Sequence, residues 1–220
     1  MEGEEDPPKR SVGALQRRRV QQPWSKDRDF RVLSIDGGGI RGIFPAALLG
    51  ELEERYLSGA SVVQYFDLIA GTSTGGIIAI GLAAGLAGAE LSDLYIRRGC
   101  EIFPPAGNGL FGAAGRRIRD LRQLFQYRCD REALMTMLTE IFGEQKFRQA
   151  RNRLCIPSFD GRYGEVYIFK TPHHPDFLKD GSEFMTKVAA ATAAAPTFFQ
   201  PLQDAATRSS MAAYGPTTRF

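Results

Sequence analysis

The chain holds no uninterrupted apolar run near the ~18 residues that a membrane-spanning helix needs. Its opening, Met1 to Arg10, is charged and has none of the apolar stretch that heads a secretory signal. Cysteine is scarce: Cys100, Cys129 and Cys155 are an odd number in no metal-ligand spacing. They read as reduced thiols of a cytoplasmic protein, and no metal site is expected. The net charge of +3 is too small to argue for a nucleic-acid partner. What remains is ordinary for a globular chain: 220 residues, 43% apolar and 24% charged, enough for one domain with a sizeable core.

Residues 1–30 mix seven Lys or Arg with six Asp or Glu and are expected to form a flexible charged leader. Residues 31–203 form the domain, and 204–220 are expected to be an atypical, disordered tail. Within the domain, Arg31-Val-Leu-Ser-Ile35 reads as a buried strand and Ile43 to Leu57 as a helix. That helix is expected to turn Leu48, Leu49 and Leu52 inward and Glu51, Glu53, Glu54 and Arg55 outward. Tyr65 to Ala70 reads as a second strand, followed by an apolar and therefore buried helix, Ile77 to Leu86. Helices follow over Asp93 to Ile102, Arg131 to Phe142 and Lys187 to Ala195, the last stopped by Pro196. Leu154 to Ser158 and Glu165 to Phe169 read as strands. Strand, glycine turn and helix occur twice in succession, the signature of an α/β fold with a parallel sheet.

Both glycine turns carry chemistry. Gly71-Thr72-Ser73-Thr74-Gly75 fits the G-x-S-x-G nucleophile elbow, with a strand before it and a helix after it. A serine on so sharp a turn crowds its neighbours, so glycines flank it. Its hydroxyl then points outward at a helix N-terminus, where backbone N–H groups face developing negative charge. The other turn, Gly37-Gly38-Gly39-Ile40-Arg41-Gly42, exposes amides with no side chain in the way, as an oxyanion hole requires, and Arg41 adds a fixed positive charge. Gly37, Gly39 and Gly42 also satisfy the dinucleotide pattern G-x-G-x-x-G, which would make the loop a nucleotide- or lipid-binding element without catalysis. That pattern wants an acidic residue at the end of the next strand; Glu54 lies in a helix and Asp67 inside the strand, so neither suits it.

The two turns, together with Ala193-Ala-Ala-Pro-Thr-Phe-Phe-Gln-Pro201, resemble the patatin-like phospholipase family over residues 31 to about 203. The resemblance implies a three-layer α/β/α domain with a mostly parallel central sheet. It implies a lipid acyl hydrolase working by a Ser–Asp dyad, without a cofactor, on membrane phospholipid or another acyl lipid, with peripheral membrane contact. Carried over, Ser73 is the nucleophile, and Gly37, Gly38, Gly39, Arg41 and Gly42 form the oxyanion site.

A serine hydroxyl needs a base to take its proton. The resemblance implies an Asp in an Asp-Gly-Gly or Asp-Gly-Ala motif followed by an Asn-Asn-Pro-like turn, shortly after the Ala-Ala-Pro stretch. Asp204 comes too early and is followed by alanine, and residues 205–220 contain no Asp. Permitted codons for Arg208 to Phe220 explain this. Read one base over, they spell Phe-Val-Asp-Gly-Gly-Val-Trp-Ala-Asn-Asn-Pro-Val, so a slipped frame between about Pro201 and Arg208 is expected. The chain as written is then expected to turn over little or no substrate.

Other residues carry weaker expectations. His173 or His174 would complete a hydrolase triad only if the fold brought it to Ser73; a loop histidine is the plainer reading. Arginines from 116 to 131, with Lys146, Arg148, Arg151 and Arg153, suit either a solvated face or a surface that touches anionic headgroups. The Asn108 to Gly115 loop is either a lid or a connector, and Asp67 is either a working carboxylate or a structural one.

Overall fold

The computed structural model describes residues 27–102, 131–160 and 164–194. Residues 1–26 of the leader, the Asn108 to Gly115 loop, the arginines at 116–128, Pro196 and the tail lie outside them. Four strands, β1 (Val32–Ile35), β2 (Leu68–Gly71), β3 (Arg153–Asp160) and β4 (Glu165–Lys170), form one sheet in that order. The first three run parallel and β4 runs antiparallel to β3. Parallel neighbours need crossovers. Helix α1 (Ile43–Tyr56) joins β1 to β2, and α2 (Thr74–Ala84), α3 (Gly88–Ile102) and α4 (Arg131–Phe142) lie between β2 and β3. Helix α5 (Met185–Ala193) follows β4. The fold class is the expected one, a mostly parallel sheet clothed by helices.

Strand side chains alternate. Ile35, Ile69, Leu154, Ile156 and Phe169 turn one way and are buried, while Val32 and Val166 turn the other way and are 51% and 68% exposed. Helix α2 packs on the buried face, and every residue from Thr74 to Ala83 is buried, as an all-apolar helix must be. Burying Ile77, Ile78, Ile80 and Leu82 contributes about 1.5–3 kcal/mol each.

The faces of α1 differ from the expectation. Leu48 and Leu52 are 49% and 37% exposed, whereas Glu53 is only 5% exposed. The buried stripe is Ala46, Leu49, Gly50 and Glu53, a spacing of three, four and seven residues from the first. It packs backbone to backbone on α3: a Cβ on Gly50 would lie 2.7 Å from the Ala89 nitrogen, and one on Gly88 would lie 2.3 Å from the Gly50 nitrogen. The Glu53 carboxylate then accepts from the Val62 N–H at 3.0 Å and the Gly88 N–H at 2.7 Å. It goes inside because its carboxylate satisfies these two buried amides.

Several boundaries also shift. Pairing in β2 begins at Leu68, opposite Val32, and Tyr65 belongs to a preceding 3-10 turn, Val62–Tyr65. Helix α2 begins at Thr74 and ends before Gly85, whose φ of 109° only glycine adopts readily. There the Gly85 and Leu86 N–H groups bond back to the Gly81 carbonyl at 3.1 and 3.0 Å, so Leu86 leaves the helix. Helix α3 starts at Gly88 rather than Asp93, with the Glu90 carboxylate accepting from the Ala87 N–H at 2.8 Å.

Candidate active site

Ser73 stands between the last residue of β2 and the first of α2, with φ 56° and ψ −123°. A non-glycine residue at positive φ is strained, at a cost of about 1–3 kcal/mol that the surroundings must enforce. They do so by crowding. A Cβ on Gly71 would lie 2.2 Å from the Gly75 carbonyl oxygen, and one on Gly75 would lie 2.1 Å from the Ile35 oxygen. The Ser73 carbonyl accepts from the Ile77 N–H at 3.0 Å, so α2 rises from the serine, and no side chain caps it.

The serine's own amide is anchored from a distant element. It donates to Thr192 Oγ1 on α5 at 2.9 Å, and that hydroxyl donates to the Pro157 carbonyl on β3 at 2.6 Å. No motif singles out Thr192. Its one signal in the sequence is a hydroxyl standing alone among the alanines of Ala189 to Ala195.

The glycine loop lies against the elbow. A Cβ on Gly37 would meet the Thr72 oxygen at 2.8 Å and the Ser73 Cβ at 3.0 Å. Thr74 Oγ1 donates to the Gly39 carbonyl at 3.0 Å, and Gly39 itself has φ 57°. A Cβ on Gly42 would fall 2.0 Å from Thr74 Cγ2. Gly37, Gly39 and Gly42 thus gather with Thr72, Ser73 and Thr74. Among the described residues the Gly38 and Gly39 amides have no hydrogen-bond acceptor. Arg41 is exposed; with Asp36, Gly37 and Gly38 it lines a cleft of about 380 Å³ whose other wall is Leu33, Phe44 and Leu48. Ser73 does not line that cleft.

The remaining candidates sit elsewhere. Asp67 lies at the start of β2, where Arg28 holds its carboxylate through two contacts of 2.7 Å and the Arg31 N–H adds a third at 2.8 Å. The Arg28 hydrogen bonds, foremost, hold its pKa below the ordinary carboxylate value. That makes Asp67 a structural tie. His173 and His174 follow β4, whose end pairs with the beginning of β3, across the sheet from Ser73. Neither histidine can serve the serine. Cys155 is half-buried on β3, and burial raises its pKa, so it remains a thiol. Among the described residues no group of three or more His, Cys, Asp or Glu could hold a metal ion, and no helix is long and apolar enough to cross a membrane.

A family model described as patatin-like phospholipase matches residues 33–208. The chain belongs to the patatin-like phospholipase family. A cGAMP-activated phospholipase of Vibrio cholerae is 39% identical over 177 residues, 78% of this chain and 49% of that protein. Patatin-17 of Solanum cardiophyllum is 35% identical over 185 residues, 77% of this chain and 43% of that protein. The crystal structure of VipD from Legionella pneumophila aligns at a TM-score of 0.46 and 17% identity, over 81% of this chain and 44% of that one. The chain spans about half the length of the curated relatives it matches. In this patatin-like domain the elbow and the glycine loop both fall inside the matched residues.

Proposed function

We propose that this patatin-like domain belongs to a lipid acyl hydrolase in which Ser73 attacks the carbonyl of a fatty acyl ester. The observation that carries the reading is the strained Ser73 backbone at the head of α2, with a glycine-only approach on both sides. The oxyanion formed on attack would be met by the Gly38 and Gly39 amides, with Arg41 adding charge; water then releases the fatty acid. The substrate class, phospholipid at a membrane surface, is supported by the relatives' names, and those of the bacterial relatives add control by a cyclic nucleotide. A cytoplasmic location with peripheral membrane contact follows as part of the same proposal.

The base is the expected Asp of an Asp-Gly-Gly motif, which residues 204–220 do not spell. The 220-residue chain should therefore release little or no fatty acid from phospholipid vesicles. A chain carrying the restored motif should release it and lose that activity as Ser73→Ala. Equal release by the restored chain and its Ser73→Ala variant would refute the nucleophile.

The rival reading, a phosphate held by Gly37 to Gly42, uses the same glycines differently. In a dinucleotide site the glycines give room to the ligand's pyrophosphate and to helix packing. Here the room at Gly37 and Gly42 is taken by Thr72, Ser73 and Thr74. Absence of heat on titration with NAD or ATP would discard the rival.

A further inference from the structure

The basic residues around the start of β3 are left over once the site at Ser73 is assigned. A cleft of about 340 Å³ opens there, with Arg148, Arg151, Asn152, Arg153, Thr171 and His173 on its walls and no Asp or Glu among its lining residues. Two of its three arginines are held in place. Arg151 donates its backbone N–H to the Ala83 carbonyl at 2.7 Å, and its guanidinium lies on the backbone of Gly85, where a Cβ would come within 2.4 Å of Cζ. Arg153 Nη1 donates to the Asp67 carbonyl at 3.1 Å, and the Arg153 N–H donates to Asn152 Oδ1 at 2.7 Å. Asn152 is fixed in turn by Nδ2 contacts to the Val63 and Phe66 carbonyls at 3.2 and 2.8 Å.

Among the described residues no carboxylate pairs with Arg148 or Arg151. The Asp67 carboxylate at this end of the sheet is gripped by Arg28 and also feels the Arg153 charge, so the arginines left without a carboxylate among the described residues are Arg148 and Arg151. After burial, the charges of Arg153 and then of His174 and Lys170 push the His173 pKa below its ordinary value, as cations gathered in one cleft should. Guanidinium forks fixed by packing match the oxygens of a phosphate and lose little freedom on binding one.

We infer that the cleft formed by Arg148, Arg151, Arg153 and His173 binds a phosphate-bearing anion, separately from the substrate at Ser73. Separation follows from the strand register. Arg153 pairs with Leu68 at the start of β2, while Ser73 follows its end. Five residues of extended chain put the two sites on the order of 15 Å apart, at opposite ends of the sheet. A phospholipid whose ester lies at Ser73 does not reach this cleft with its own phosphate, so the anion is a second molecule. Its phosphate can come from a soluble nucleotide or from another lipid headgroup.

The test is calorimetric titration of the chain with pyrophosphate and with a cyclic dinucleotide, beside sedimentation with phosphatidylcholine vesicles containing phosphatidylglycerol. Binding should appear with a soluble probe or with the anionic vesicles, and whichever binds names the source. Arg148→Gln with Arg151→Gln should weaken it by roughly tenfold or more, with an unchanged melting temperature. Arg55→Gln with Arg97→Gln, which removes two exposed arginines of α1 and α3, should leave it intact. If the first pair fails to fold, Arg148→Lys with Arg151→Lys keeps the charge, loses the forks and should still weaken binding severalfold. Ser73→Ala should bind as the parent does, so the cleft is tested independently of the nucleophile. Absence of binding to all three probes, or equal losses in the two glutamine pairs, overturns the inference.

Discussion

The Ser73 amide donates to Thr192 Oγ1 at 2.9 Å across a separation of 119 residues, and the same hydroxyl donates to the Pro157 carbonyl at 2.6 Å. One side chain on α5 thereby ties the elbow to β3, and it does so at the residue whose backbone is strained. The bond holds the serine at a positive φ that the chain would otherwise relax. Thr192→Val keeps the shape, removes the acceptor and leaves the Ser73 N–H without a partner. The loss should be about 1–3 kcal/mol, a fall of roughly 2–10 °C in melting temperature for a chain of this size. Thr192→Ser should recover most of it. In a chain with the base restored, Thr192→Val should lower kcat more than it raises KM. A Val variant as stable as the parent would show that the elbow is held by its glycines alone.

Glycine substitutions at the elbow and away from it should separate into two groups. Gly75→Ala places a methyl group 2.1 Å from the Ile35 oxygen and 2.7 Å from the Asp36 oxygen, both main-chain atoms that cannot swing away. It should abolish soluble expression or cost several kcal/mol, in line with severe overpacking. Gly59→Ala meets nothing within 4 Å, and its φ of 81° alone sets the cost, about 1 kcal/mol. Denaturant melts of the two variants check the contrast; comparable midpoints would remove the steric account of the elbow.

The site can be read from the sequence because its constraints are local. A glycine that a neighbouring residue touches this closely leaves little choice of residue, so Gly37, Gly71 and Gly75, pressed by main chain, and Gly42, pressed by the Thr74 side chain, spell out the turns. The supports of the site are not legible in the same way. Thr192 looks like one more helix residue until α5 is placed against α2 and β3. Glu53 looks like a solvent-facing charge until α1 and α3 approach through Gly50 and Gly88, and only then are the Val62 and Gly88 amides left seeking an acceptor. Helix α2 starts three residues before its apolar run because the serine turn itself begins the helix. Asp67 invites a catalytic role by its place in a strand, yet its partners, Arg28 and the Arg31 amide, lie in the segment that leads into β1.

His173 makes stability depend on pH. Its folded-state pKa lies below the ordinary 6.5, chiefly through burial and next through the Arg153 charge. As pH falls through that ordinary value, the unfolded chain takes up the proton before the folded chain does. The stability present above about pH 6.5 is therefore lost on acidification, until the folded-state value is passed. His173→Asn removes this contribution. Urea unfolding at pH 8 and pH 5, in a buffer free of phosphate, should show a smaller loss on acidification in the variant than in the parent. An identical loss in both would place the acid sensitivity in other groups.

The missing base leads to the gene. The family match ends at residue 208, the position at which the one-base shift restores Phe-Val-Asp-Gly-Gly-Val-Trp-Ala-Asn-Asn-Pro-Val from permitted codons. Some of that agreement is forced: Met211 followed by Ala212 fixes a glycine codon in the shifted frame, and the two threonines at 217 and 218 permit the Asn-Asn pair. Nucleotide sequence through codons 195 to 220 and beyond should therefore contain Asp-Gly-Gly and Asn-Asn-Pro in the neighbouring frame. A chain expressed from the repaired frame should hydrolyse phospholipid, and its rate should exceed that of the 220-residue chain by at least the ~10²–10⁴-fold that one positioned proton transfer supplies. If no frame encodes the motif, Ser73 lacks the proposed Asp, and the glycine loop and the arginine cleft become the sites to assay, by binding rather than by turnover.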